Sequence, residues 1–181
     1  MLLLYIFILV MIFSAVPLLI SMTKKASEGA AMKRAIEQRG GKFIPTHALW
    51  YMGEVNSERC DFHVVFDNRV ISVKVISLLS SNVLLNFIDK ENYGIKTLSA
   101  KLTENKDSVI YENKKKKPYD FKHGLKPEYS KLPHASVILL NEPRPLRISR
   151  ATDDGIIDLH TGDQTGEGEL YTTHSFIELF K

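Results

Sequence analysis

DFHVVFDNRVISVKVI, residues 61–76, sets two short runs rich in β-branched and aromatic residues on either side of Asp67-Asn68. Asp and Asn tolerate positive φ, so a two-residue link of this kind suits a tight hairpin turn. Pairing about that turn sums to 135, which puts Phe66 opposite Arg69, His63 opposite Ser72 and Asp61 opposite Lys74. Successive side chains on a strand point to opposite faces. Phe62, Val64, Phe66, Ile71, Val73 and Val75 therefore make one apolar face, and Asp61, His63, Val65, Val70, Ser72 and Lys74 a mixed one.

The same pattern continues on the C-terminal side. Residues 83–88 and 93–98 flank Asp89-Lys90-Glu91-Asn92 as a second hairpin, and further strands are expected at 108–111, 135–141, 146–149, 155–159 and Glu169–Thr172. Residues 173–181 form a short last helix with Thr173 as its cap. Residues 42–181 are thus expected to be one antiparallel domain, mainly β (a β-rich α+β fold), with a Lys-rich loop at 113–133. About 140 residues suffice for a single core.

On the N-terminal side the character changes completely. Residues 1–22 carry no charge, and Lys24 and Lys25 follow at once. A helix crossing about 30 Å of hydrocarbon needs about 20 such residues, and lysines at its end reach the interface while their stems stay in apolar surroundings. Residues 1–22 are therefore expected to be a transmembrane helix, with the lipid bilayer as partner. A cleaved signal peptide would carry a basic start, a shorter apolar core and a small-residue cleavage site, a pattern these residues lack. Residues 23–41 combine good helix formers with the stop Gly40-Gly41 and are expected to be a helical stalk. No basic residue precedes the span, whereas Lys24, Lys25, Lys33, Arg34 and Arg39 follow it closely. The bias predicts a single-pass protein whose C-terminal domain is cytoplasmic. Cys60, the single cysteine, has no partner for an internal disulfide, in keeping with a reducing compartment.

The net charge of +3 is too small to imply nucleic-acid binding, but it is unevenly spread. Residues 101–150 hold twelve Lys and Arg against six Asp and Glu, while 151–181 hold one Lys against seven acids. Lys114, Lys115, Lys116, Lys117, Lys122 and Lys126 form the densest cluster and are the candidate contact with anionic lipid, because the cytoplasmic leaflet is negative.

Other constellations imply less chemistry. The acids Asp153, Asp154, Asp158, Asp163, Glu167 and Glu169 interleave with glycines but do not follow the calcium-loop spacing, and read as turns between strands. Cys60 and the scattered histidines show no nucleophile signature or zinc spacing, and no phosphate-binding glycine loop or G-x-S-x-G is present. No cofactor or metal is expected from these motifs.

The mixed hairpin face resembles that of PD-(D/E)xK nucleases, including the nuclease-related domains of some membrane-anchored proteins. In that pattern a strand Asp meets an acid-x-Lys triplet on the next strand, with a Glu from a preceding helix. Asp61, Ser72-Val73-Lys74 and Glu37 or Glu28 fall in this order, with Ser72 in place of the second acid. The resemblance implies a metal held by carboxylates and a lysine near the attacking water, with Asp61, Lys74 and Glu37 as catalytic residues. Ser72 leaves such a metal without one charged ligand, so the primary expectation is an interaction or regulatory module with no catalytic residues. A degenerate nuclease is the alternative. The protein partner stays undefined.

Overall fold

The computed structural model describes residues 2–53, 59–77, 81, 83–87, 92–97, 114–115, 120–142, 144–145, 147–152, 155–166 and 168–180. The strand expected at 108–111 lies outside them, as do Lys116, Lys117, Asp153, Asp154 and Glu167.

A single helix, α1 (Leu2–Gln38), opens the chain. It ends where the paired glycines put it: Gly40, at φ 78°, donates to the Glu37 carbonyl (3.1 Å), and Gly41 donates to that of Ile36 (3.0 Å). This is the Schellman closure, which needs a left-handed residue just past the last turn. From Leu4 to Ile20 every large apolar side chain described is exposed. Among the described residues α1 is the one helix long and apolar enough to cross a membrane.

The strands follow as β1 (Lys42–Pro45), β2 (Phe62–Phe66), β3 (Arg69–Ile76), β4 (Val83–Phe87), β5 (Asn92–Thr97), β6 (Lys114–Lys115), β7 (His134–Leu140), β8 (Arg147–Thr152), β9 (Gly155–Asp158) and β10 (Glu169–Thr172), before the last helix α2 (Thr173–Glu178). One sheet has the order β1-β2-β3-β7-β10 and the other β6-β5-β4-β8-β9. The first hairpin keeps the expected register, with Phe66 opposite Arg69 and His63 opposite Ser72. The second pairs Val83 with Thr97 and Phe87 with Tyr93.

The architecture is α+β with mixed sheets, which corrects the expectation of an antiparallel domain. β7 lies parallel to both β3 and β10, and β8 parallel to β4. β7 brings His134 beside Val70 across 64 residues of chain, a pairing that local turn signals cannot announce. Its run Val137–Leu140 is buried without alternation, as expected of a strand covered on both faces.

Two cores result. On one face of the first sheet, Phe62, Val64, Ile71, Val73 and Val75 pack with Phe43, Trp50, Phe176 and Phe180 and with Met32 and Ile36 of α1. The ring of Phe43 lies 4.6 Å from Trp50 and 4.8 Å from Phe62 between centroids, and such pairs add about 0.5–1.5 kcal/mol each beyond their burial. On the opposite face, Cys60, Ile76, Ile138, Leu140 and Leu170 meet Val83, Leu85 and Phe87 of the second sheet. The later turns of α1 are thus core, and the helix runs from them into its exposed apolar half without a break. Gly29 allows the close approach: a Cβ there would stand 2.9 Å from the Tyr51 Cβ and 3.1 Å from the Trp50 ring.

α2 starts one residue earlier than expected. Its cap is Thr172, whose hydroxyl accepts from the Ser175 amide while the Ser175 hydroxyl accepts from the Thr172 amide, so the box closes on Ser175.

Candidate functional site

The mixed face of the β2–β3 hairpin is not a solvated surface: Asp61, His63, Ser72 and Lys74 are each at most 1% exposed. The second sheet covers that side of β3, so polar side chains expected to meet water are enclosed and must satisfy one another.

Asp61 sits just before β2 and is held from three directions. Its Oδ2 lies 3.1 Å from Lys74 Nζ and accepts from the Val75 amide at 2.7 Å, and its Oδ1 lies 2.9 Å from His47 Nε2. The ion pair expected across the hairpin therefore exists, but in the interior, where charges persist only when paired and hydrogen-bonded. His47 donates Nε2–H to the carboxylate, and its own side chain is 44% exposed. The neighbouring Thr46 hydroxyl bonds the carbonyls of Cys60 and Asp61 at 2.8 and 2.9 Å and fixes the turn that carries His47.

A second group of polar side chains gathers around Ser72 of β3. His63 Nε2–H donates to the His123 carbonyl at 2.8 Å, so its Nδ1 is free to accept from the Ser72 hydroxyl at 2.7 Å. His134 Nε2 is 2.8 Å from the same hydroxyl. Burial lowers the His63 pKa and keeps the ring neutral; His134 is shifted the same way, by desolvation and by the Lys122 ammonium. Ser72, at the position of the second nuclease acid, is thus occupied by two imidazoles.

Cys60 Sγ lies against the His123 carbonyl (3.4 Å) and 3.6 Å from His63 Nε2. Burial, then the Asp61 and Asp120 carboxylates, push its pKa up to about 12. A thiol so protonated is no nucleophile at neutral pH, and the proton of the nearest imidazole already serves a carbonyl.

Over His47 opens a cleft of about 460 Å³ lined by Thr46, His47, Leu49, Met52, Arg59 and His123, among others. His47 is its link to the buried Asp61–Lys74 pair. Sequence reasoning found Asp61 and Lys74 but missed His47 and His123, which lie outside the hairpin; the Thr-His pair at 46–47 gives no local signal.

The remaining candidates lie apart from this cleft's lining. Glu37 is half exposed and pairs with Lys33 at 3.8 Å, while Glu28 pairs with Lys24 at 3.9 Å. Lys114 and Lys115 form β6 opposite Asn92 and Tyr93. Lys122 and Lys126 are exposed in a run of hydrogen-bonded turns, Lys126 with the Tyr129 amide on its carbonyl at 3.0 Å. Among the described residues no three His, Cys, Asp or Glu side chains are grouped so as to hold a metal ion. No protein-family model, curated protein or solved structure matches the chain.

Proposed function

We propose that the chain is a single-pass membrane-anchored protein whose β-rich domain faces the cytoplasm and works as an interaction or regulatory module, with the cleft over His47 as its recognition site. One observation carries the reading: the only carboxylate of the hairpin face, Asp61, is held by Lys74, the Val75 amide and His47. It positions a histidine at the cleft and keeps one acceptor site, on Oδ1, whereas a hard cation takes six or more oxygen ligands in a typical site. The unbroken α1 supports anchoring, because a helix with an exposed apolar half and a second half that packs Met32 and Ile36 into the core ties the domain directly to a span.

The degenerate nuclease keeps some support from the 3.1 Å contact of Asp61 with Lys74 in the expected strand order. The two readings part in one assay. Full-length protein in mild detergent is expected to leave DNA and RNA intact with Mg²⁺ or Mn²⁺; cutting that Asp61→Ala abolishes would put the nuclease in place of the module. Orientation has its own test. A reporter that is active only after export, fused behind Lys181, is expected to stay silent, and strong activity would reverse the cytoplasmic assignment.

A further inference from the structure

Where α1 leaves its apolar half, a groove of about 430 Å³ separates it from the loop after β7. Its lining changes character along its length. Pro17 and Ile20 form one end, and Lys24, Lys25, Glu28 and Glu142 the other. At 1.5 Å per residue, Pro17 to Glu28 spans about 16 Å along the helix.

Lys25 is the unusual member. It is only 8% exposed, and its Nζ donates to the Ser77 hydroxyl at 2.9 Å. Among the described residues no carboxylate stands within ion-pair distance of it. A buried ammonium normally requires a counter-charge, and this one borders the groove. Opposite it, Glu142 is exposed and held by Arg144, which contacts it through Nε at 3.1 Å and the backbone amide at 3.2 Å. The polar end thus offers Lys24, Lys25 and Glu28 on α1, with Glu28 3.9 Å from Lys24, and the Glu142 carboxylate across from them.

We propose that this groove holds the headgroup of a phospholipid bearing a primary amine, phosphatidylethanolamine, with its phosphate on Lys25 and Lys24 and its ammonium between Glu28 and Glu142. The proposal rests on α1 spanning a bilayer. In that case Ile20, 63% exposed, lies at acyl-chain depth and the lysines at headgroup depth. A purely anionic ligand would bring more negative charge to a lining that already holds Glu28 and Glu142, each beside a single cation, Lys24 or Arg144, and a soluble zwitterion would leave Pro17 and Ile20 without an apolar neighbour. A lipid with a primary amine satisfies both ends and supplies Lys25 with its counter-charge.

The test uses the full chain in nanodiscs of mixed phosphatidylethanolamine, phosphatidylglycerol and phosphatidylcholine, released gently so that retained lipid can be counted by native mass spectrometry. Selective retention of phosphatidylethanolamine is expected. Glu142→Gln, on an exposed side chain that the fold does not need, should cut it about tenfold, the scale of one charge-assisted hydrogen bond. Lys25→Gln should weaken retention of every phospholipid. Equal retention of phosphatidylcholine, whose quaternary amine donates no hydrogen bond, would overturn the proposal, as would unchanged retention in Glu142→Gln. Carbonate extraction of membranes separates the two ways of failing. If the chain stays with the bilayer yet retains lipid without selectivity, the groove proposal alone falls; if it is released as soluble protein, the anchor falls and takes the groove with it.

Discussion

Asp61 shows how one residue can be legible in sequence while its surroundings are not. Alternation about Asp67-Asn68 places it across from Lys74, and the two side chains do meet, at 3.1 Å. On an exposed sheet such a pair contributes about 0.2–1 kcal/mol. Both partners are buried here, and the balance changes sign of interest: the pair itself adds little over apolar residues, but removing one partner strands a charge. Lys74→Met is therefore expected to cost about 3–5 kcal/mol of unfolding free energy. Adding Asp61→Leu should recover part of that loss, because the stranded carboxylate is gone, although the Val75 amide and His47 then lose their acceptor. Urea unfolding of the full chain in detergent measures these variants and Asp61→Leu alone. A double variant as costly as the sum of its parts would show that Asp61 and Lys74 are not coupled, and that Asp61 owes its place to the Val75 amide and His47.

At the scale of elements, local chemistry predicts what is local. The hairpin register, the glycine stop of α1 and the strand Glu169–Thr172 all rest on neighbours in sequence, and each is found where expected. What was not legible depends on partners far along the chain: β7 beside β3, the second sheet over the mixed face, and His47 under Asp61's control. The same limit hid the role of α1 beyond the span. Its small residues read as a spacer because they carry no apolar stripe, whereas the structure uses smallness for close approach, with Gly29 against Trp50 and Tyr51. Gly29→Ala offers a contest of two effects. Helix propensity favours alanine by about 1 kcal/mol, but the new Cβ would stand 2.9 Å from the Tyr51 Cβ, an atom near the backbone that cannot swing aside. Overpacking of this kind costs about 1–3 kcal/mol, so the variant is expected to be less stable than the native chain. Ala30→Gly, one residue on and exposed, loses only propensity, about 1 kcal/mol. If Gly29→Ala proves stabilising in urea unfolding, α1 does not pack on Trp50 as described.

For the molecule as a whole, α1 ties its long exposed apolar half to the packed sheets. Met32 and Ile36 lie in the same core as β2 and β3, so the domain cannot swing freely about a spacer. We expect the lysines from Lys114 to Lys126 to face the anionic inner leaflet. Each such residue near the surface is worth about 1 kcal/mol, and tethering makes the contact intramolecular, so weak attraction suffices. The attraction is screened over about 8 Å at physiological ionic strength. Tryptic cleavage within Lys114, Lys115, Lys116 and Lys117, after the first three because Pro118 blocks cleavage after the fourth, provides the readout for the full chain in nanodiscs. Cleavage is expected to be slower in discs containing anionic lipid than in neutral ones, with high salt removing the difference. Replacing those four lysines by Gln removes the tryptic sites, so its effect is read by spin labels at Lys122→Cys, which should move away from the anionic surface. Equal cleavage in both kinds of disc, at low as well as high salt, would leave the cluster a solvated loop, because a membrane contact made by charge must follow the charge of the membrane and weaken with its screening.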